Sequence, residues 1–202
     1  MDIREELPGD GQVVRGIHLQ AFGDHGLVVA DMVDALRDTT TAAGRLSLVA
    51  EQDVQVVGHV MFTSGLLDAD RRLVEVYVLS PLAVMAEFHR RGIGAALVRY
   101  GLGILAEKAV PLVWLEGDPR YYMRFGFMPG DGRGFRKPSL RIPDDAFQVI
   151  TLPAYEPWMT GTLVYPDAFW RYDAVGLRSP EAEARNSPAV TQAAADPRTS
   201  GR

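Results

Sequence analysis

The chain has 202 residues, of which 47% are hydrophobic and 23% charged, so it can bury a sizeable apolar core in one domain. Its formal net charge of −5 argues against a general nucleic-acid-binding protein, because such proteins need a basic face that displaces counterions. It contains no cysteine, which excludes disulfides and thiolate catalysis, and no apolar run approaches the ~20 residues of a membrane span.

The N-terminal segment predicts one strand and two helices. Residues 1–6 are charged and lack the apolar segment of a signal peptide, which favours a cytoplasmic protein. Residues 3–7 alternate as a short strand does. Apolar residues at helical spacing predict a first helix that ends near Phe22 and a second that carries the apolar positions between Leu27 and Leu36.

The middle of the chain predicts a β-hairpin and a long interrupted strand. Residues 46–51 and 54–62 flank a two-residue turn, as in a hairpin, and residues 66–72 form a turn-rich link. The apolar run 73–84 is too long for one regular strand and contains Pro81. Because proline cannot donate to a strand ladder, we expect a bulge or bend near Ser80 and Pro81.

A glycine turn follows this strand and precedes a helix predicted over residues 93–108. Gly92 and Gly94 let the backbone turn tightly and approach a ligand, and amides at a helix N-terminus favour an anion. Glycines also occur in such turns for steric reasons alone, so the flanking segments decide. We predict that backbone amides from about Arg91 to Ala95 bind phosphate groups.

The C-terminal part predicts a strand over 111–116 and a short helix that Asp118 and Pro119 open and that carries Tyr121 and Tyr122. Two final antiparallel strands are predicted over 147–152 and 161–165. From Ser179 onwards large apolar residues are almost absent. We therefore expect a single domain over residues 1–178 and a disordered tail over 179–202.

Three motifs together resemble the acetyl-CoA signature of the GNAT superfamily of N-acetyltransferases. They are Leu82-Ala83-Val84, then His89-Arg90-Arg91-Gly92-Ile93-Gly94, and then Tyr122 four residues before Gly126-Phe127. The chain is most similar to a subgroup of small bacterial members that place Gly-Asp-Pro before a double tyrosine. The resemblance implies an α/β (α+β) fold with a mixed central sheet of about six to seven strands, flanked by helices and splayed between the fourth and fifth strands.

The resemblance also implies acetyl-CoA as cosubstrate, with coenzyme A as product and no metal. The residues that it assigns to cofactor binding are Leu82, Ala83, Val84, His89, Arg90, Arg91, Gly92, Ile93, Gly94 and Ala95. His89 departs from the family, which has Gln or Arg at this position. The substitution keeps the backbone cradle and removes a usual side-chain contact.

Acetyl transfer to an amine requires a deprotonated acceptor nitrogen, a polarised thioester carbonyl and a proton for the leaving thiolate. Tyr122 matches the family's proton donor; the alternative is that it only packs, although Tyr121 is the better packing candidate. Two carboxylates are candidates for the base, Glu116 at a strand end and Glu75 within the preceding strand, and ordered water is the alternative to both.

The resulting prediction is an N-acetyltransferase that acts on the primary amine of a small molecule or peptide, without choosing among such acceptors. A non-catalytic acyl-CoA-binding sensor on the same fold is the alternative. A mononucleotide-binding protein is disfavoured, because no lysine and hydroxyl residue follow the glycines. Neither nucleic acid nor membrane is an expected partner, and a homodimer is compatible with the sequence.

Overall fold

The computed structural model describes residues 1–39 and 44–176, and within these ranges the chain forms one mixed sheet of nine strands with helices on both faces. The strands are β1 (Asp2–Glu5), β2 (Arg45–Gln52), β3 (Gln55–Ala69), β4 (Leu73–Val84), β5 (Leu112–Glu116), β6 (Met128–Pro129), β7 (Phe135–Arg136), β8 (Phe147–Thr151) and β9 (Gly161–Val164). The helices are α1 (Gly11–Ala21), α2 (Gly26–Thr39), α3 (Ile93–Glu107), α4 (Pro119–Tyr122) and α5 (Asp167–Arg171).

The predicted mixed sheet flanked by helices is confirmed. Its strand number exceeds six to seven because β6 and β7 contain 2 residues each and carry no pattern that a sequence would reveal. The predicted tail over residues 179–202 lies outside the described residues. Of the helices in the described ranges, none combines the length and apolar character that a membrane crossing needs.

The strand order is β1-β2-β3-β4-β5-β8-β6, and β9 joins both β3 and β7. One edge of β3 pairs with β4, while the other pairs first with β2 and then, from Leu66 to Ala69, with β9. The turn-rich link predicted over residues 66–72 is therefore wrong in its first half. Strand structure continues to Ala69 because the segment has ladder partners on both sides.

Strands β4 and β5 form a parallel pair that ends early. Only Tyr77 and Val78 of β4 pair with β5, opposite Val113 and Trp114. On its other edge β4 continues along β3 as far as Val84. The backbone groups of β4 that point away from β3 therefore have no strand partner beyond Val78, which is the predicted splay.

A β-bulge accompanies this separation. Val60 of β3 faces Leu82, whereas Phe62 faces Leu79, so β4 carries one extra residue between these two pairs. The extra residue falls within the Ser80–Pro81 step, and the predicted bulge is confirmed. Because Pro81 has no amide hydrogen, the ladder loses nothing by the irregularity there.

Two hydrophobic cores lie on opposite faces of the sheet. One core is formed with the first two helices and contains Val14, Ile17, Met32, Val33, Leu36, Trp114 and Phe147. The other is formed with α3 and contains Phe62, Tyr77, Ile93, Leu97, Val98 and Leu105. A Cβ at Gly101 would lie 2.3 Å from the Phe62 ring. Glycine at this position therefore lets α3 lie directly on β3, which positions the N-terminus of α3.

A chain of polar side chains is buried beneath α1. His18 of α1 and His59 of β3 are both fully buried, and Nε2 of His18 lies 2.8 Å from Nδ1 of His59. Nε2 of His59 lies 2.8 Å from Oγ of Ser47, whose hydroxyl donates to Glu6. Arg37 of α2 donates to the other carboxylate oxygen of Glu6 at 2.6 Å. The chain thus links α1 and α2 to the sheet.

The carboxylate of Glu6 determines the direction of these hydrogen bonds. It can only accept, so the Ser47 hydroxyl donates to it and accepts from Nε2–H of His59. Burial lowers the pKa of both histidines and keeps them neutral. Nδ1 of a neutral His59 accepts from Nε2–H of His18, which leaves Nδ1 of His18 as a buried acceptor without a partner among the described residues.

Burial is the main cause of the low pKa values of the two histidines. It lowers the pKa of His18 to about 3, helped by the neighbouring His59 and Arg37. It also lowers the pKa of His59, against the opposing effect of Glu6. Burial alone would raise the pKa of Glu6, but its contacts with His59, Arg37 and Ser47 lower it to about 2.

We expect the folded state to lose stability in acid. The unfolded chain protonates both histidines near their ordinary pKa of 6.5, whereas the folded chain does not. The stabilisation from His18 is therefore complete above pH 6.5 and is lost as the pH falls towards 3, by up to about 1.4 kcal/mol per pH unit. The lowered pKa of His59 adds a loss in the same direction. Glu6 adds a further loss between its ordinary value of 4.5 and about 2.

Urea unfolding followed by circular dichroism over this pH range measures the effect. The variant His18→Gln removes one titrating group and should reduce the slope of unfolding free energy against pH. The matched control is His25→Gln, in the loop between α1 and α2, which should leave the slope unchanged. An equal slope in the parent and in His18→Gln would contradict the assignment.

Candidate active site

A pocket of about 690 Å³ opens where β4 and β5 separate. It is lined by Leu82, Ala83, Val84, Phe88, His89, Arg90, Gly92, Ile93, Gly94, Ala95, Tyr121 and Arg124. The structure thus brings together all of the residues predicted to bind the cofactor except Arg91. Tyr121 and Arg124, which the sequence analysis did not assign to cofactor binding, line it from the segment after β5.

The turn before α3 leaves a row of backbone amides free. The first amide of this region to bond within the chain is that of Ala96, which donates to the Gly92 carbonyl at 2.9 Å. Across the described ranges, the amides of residues 90–95 have no hydrogen-bond partner. They sit at the N-terminus of a 15-residue helix, where the peptide dipoles favour an anion.

The backbone of this turn is left-handed at two positions. Gly92 has a φ of 82°, which glycine adopts without steric cost, and Arg90 has a φ of 59°, which is strained for a residue with a side chain. Such conformations create the concave arrangements of N–H groups that bind anions. The strain at Arg90 thus coincides with the row of free amides.

Gly94 lies where three parts of the pocket meet. A Cβ at this position would lie 2.8 Å from the Tyr121 hydroxyl and 3.7 to 3.8 Å from side-chain atoms of Val84 and Leu82. Glycine therefore keeps open the space between the helix N-terminus, the end of β4 and α4. Any larger residue would fill part of the pocket.

His89 ties the turn to the strand before it. Its Nε2 lies 2.8 Å from the Val84 carbonyl oxygen and must carry the hydrogen, because a carbonyl only accepts. The sequence indicates only the loss of a side-chain contact at this position. The structure adds that the imidazole makes an internal hydrogen bond, which holds the pocket-lining turn against the end of β4.

Asp118 and Pro119 form the helix start that the sequence predicts. Asp118 accepts the backbone amide of Arg120 at 2.9 Å, and Pro119 occupies the first helical position, where its missing amide costs nothing. This cap begins α4 directly after β5. It therefore places Tyr121 and Tyr122 beside the splay.

The two tyrosines have different surroundings. Tyr121 lines the pocket, whereas the Tyr122 ring packs against Gly117, where a Cβ would lie 2.5 Å from a ring carbon, and lies 5.9 Å from the Phe127 ring. The centroids of the two tyrosine rings are 4.9 Å apart. Within the described residues neither hydroxyl has a hydrogen-bond partner, and burial raises both pKa values.

Glu116 is the last residue of β5, at the point where the two strands part. Continuing the parallel register from the pair Val78 and Trp114 would place Ser80 opposite Glu116. Glu116 and Trp114 share a face of the sheet, since side chains alternate along a strand. This is the face covered by α1 and α2, because Trp114 belongs to their core.

The carboxyl group of Glu116 is buried and only partly paired. Its Oε2 accepts the amide of Gly176 at 2.9 Å, while Oε1 has no hydrogen bond within the described chain. Burial raises the pKa of Glu116, and the Gly176 amide, the nearby Tyr165 hydroxyl and the charge of Arg141 oppose this rise. A carboxylate with a raised pKa and a free oxygen is suited to accept a proton.

Glu75 lies apart from this arrangement. It is exposed near the start of β4, seven positions before Leu82, which at the rise of a strand is about 20 Å. It lines a separate open pocket of about 270 Å³ together with residues of β3 and β9. The structure does not bring Glu75 together with the other predicted site residues.

Comparison with known proteins gives a family match over the part of the chain that forms the pocket. The family described as an acetyltransferase (GNAT) domain matches residues 43–129. A curated relative is the uncharacterized N-acetyltransferase YjhQ of Escherichia coli K12. It is 32% identical over 137 residues, which cover 67% of this chain and 74% of the relative.

Two solved structures resemble the whole fold. The GNAT family N-acetyltransferase YhbS of Escherichia coli, in complex with CoA, has 30% identity and a TM-score of 0.76 over 88% of this chain and 95% of that chain. A GNAT family acetyltransferase of Brucella melitensis, in complex with acetyl-CoA, has 31% identity and a TM-score of 0.66 over 83% and 97% of the two chains.

Proposed function

Because this chain belongs to the GNAT family of acetyltransferases, we propose that it transfers an acetyl group from acetyl-CoA to the primary amine of a small molecule or peptide. The observation that carries the proposal is a single pocket, in which the free amides before α3 meet the unpaired edge of β4. The complexes of two related enzymes with CoA and acetyl-CoA support this cosubstrate.

The turn before α3 suits a pyrophosphate. Amides of residues 90–95 provide donors that need no rearrangement, and the absence of a side chain at Gly94 leaves room for phosphate oxygens. We assign the amides from Arg91 to Ala95 to this role. His89 supports them by holding the turn to Val84.

The end of β4 suits the amide-containing arm of the same cosubstrate. Leu82, Ala83 and Val84 line the pocket, and their strand has no partner on the β5 side. An arm with alternating donors and acceptors can pair with this edge as an added strand does. Bound acetyl-CoA supplies the activated acetyl thioester, and the free backbone donors of β4 orient its carbonyl.

Replacing Gly94 by Val tests the cradle. The new side chain would meet the Tyr121 hydroxyl at 2.8 Å and fill the pocket, so we expect acetyl-CoA to bind about 10- to 100-fold more weakly in calorimetry. Gly103→Val is the matched control, since it lies in the same helix with nothing within 4 Å of its Cβ. A folded Gly94→Val protein that binds as tightly as the parent would place the cradle elsewhere.

Tyr122 is the proposed proton donor to the leaving thiolate. Burial raises its pKa, which keeps the hydroxyl protonated at neutral pH, and its oxygen has no partner among the described residues that would compete for the proton. Tyr121 lines the pocket, and the centroid of its ring is 4.9 Å from that of the Tyr122 ring. We assign Tyr121 to shaping the pocket wall.

Paired phenylalanine variants separate the two tyrosines. Tyr122→Phe keeps the ring and removes the proton, so the acetylation rate should fall by about 10²-fold while acetyl-CoA affinity changes little. Tyr121→Phe should reduce the rate by about tenfold or less. Release of the coenzyme A thiol measures the rate without background, because the chain has no cysteine.

If Tyr121→Phe lowers the acetylation rate more than Tyr122→Phe does, Tyr121 is the proton donor. Acceptors come from a panel of small amines and peptides. A parent protein that binds acetyl-CoA but acetylates none of them would favour a non-catalytic acyl-CoA sensor on this fold.

Glu116 is the proposed base for the acceptor amine. Its free Oε1 faces the side of the sheet covered by α1 and α2, opposite the face on which α3 packs. The base must be ionised, so its raised pKa predicts that the rate falls as the pH is lowered through that value.

Glutamine variants at the two candidate carboxylates provide the test. Glu116→Gln should lower the rate by about 10²-fold and remove the acidic limb of its pH profile. Glu75→Gln is the matched control, with the same change of charge at an exposed position away from the splay, and should leave both unchanged. An unaltered profile in Glu116→Gln would leave ordered water as the base.

A further inference from the structure

Arg124 lines the same pocket as the glycine turn. It lies three residues after Tyr121, in the 3₁₀ turn Met123–Phe125, and its guanidinium carbon is 4.7 Å from the centroid of the Tyr121 ring. The Tyr121 hydroxyl in turn lies against Gly94. The Tyr121 ring thus contacts the Arg124 guanidinium on one side, and its hydroxyl lies against the start of α3.

No carboxylate of the described residues neutralises the charge of Arg124. In the described ranges Arg124 forms no ion pair with a carboxylate, and the same holds for Arg90, which lines the pocket from the turn. The chain as a whole carries a net charge of −5, so a pocket with two unpaired cations is a local exception. Uncompensated cations that line a pocket indicate an anionic ligand.

We propose that Arg124 binds the 3′-phosphate of coenzyme A and so selects CoA thioesters over their 3′-dephospho forms. The inference rests on the function proposed above. The pyrophosphate carries about one charge on each phosphorus and is suited to the backbone amides of the turn. The 3′-phosphate is a monoester with a charge close to −2, and the forked donors of an arginine match its oxygens.

Arg99 provides a matched control. It lies on α3, is exposed, and its guanidinium carbon is 5.2 Å from the centroid of the Phe125 ring. Burial raises the pKa of Tyr121, and the charges of Arg124 and Arg99 both lower it. Both cations therefore lie near the Tyr121 hydroxyl. Arg99 does not, however, line the pocket.

Calorimetric titration with acetyl-CoA and with 3′-dephospho-acetyl-CoA tests the assignment. We expect the parent to bind acetyl-CoA about tenfold or more tightly than the dephospho form. Arg124→Gln should weaken acetyl-CoA binding by a similar factor and leave the dephospho form unchanged, so that the preference disappears. Arg99→Gln should retain the preference for acetyl-CoA over the dephospho form. Both side chains are exposed, and thermal melting checks that each variant is folded.

Three results would overturn the assignment. A parent without preference shows that the 3′-phosphate is not bound. If Arg124→Gln weakens the binding of both ligands equally, Arg124 contacts a group that both ligands contain, such as the pyrophosphate. An equal effect of Arg99→Gln shows a general electrostatic field. All three leave the proposed acetyltransferase function intact, whereas a parent that binds neither ligand removes that function as well.

Discussion

The early end of the pairing between β4 and β5 is the constraint on which the pocket depends. The two strands share only the register pairs at Tyr77 and Val78, although β4 continues to Val84 along β3. An unpaired strand edge inside a domain is costly unless a ligand or solvent satisfies it. Here the end of this edge, from Leu82 to Val84, forms a wall of a pocket, while Glu116 ends β5 at the point where the two strands part. The gap therefore costs the sheet hydrogen bonds, and it leaves backbone groups of β4 free to bind a ligand.

The position of α3 places a helix N-terminus with free amides beside this gap. Gly101 lets the helix lie on Phe62, and the crossover from β4 to β5 then brings the helix N-terminus to the open end of β4. His89 fastens the connecting turn to the Val84 carbonyl. On the opposite face the buried chain from His18 to Glu6 holds α1 and α2 against the sheet.

Local signals in the sequence determined a large part of this arrangement. The glycine turn, the irregularity at Pro81 and the helix start at Asp118 each act within a few residues, through φ restriction, a missing amide or a side-chain cap. The mixed sheet and its splay followed from the order of these elements and from the family resemblance. All residues predicted for the cofactor pocket except Arg91 came together because they are close in the chain.

Contacts between distant segments decided the rest. The continuation of β3 to Ala69 depends on β9, and the burial of Glu116 depends on Gly176 and Tyr165. The packing of α4 on Gly117 and Gly94 decides which of the two tyrosines lines the pocket. The two residues are adjacent in the sequence, so the sequence does not distinguish them. The sequence by itself therefore determined the glycine turn before α3 and the strand that carries the bulge. Only the tertiary structure decided which side chains surround them, because packing and desolvation arise where distant segments meet.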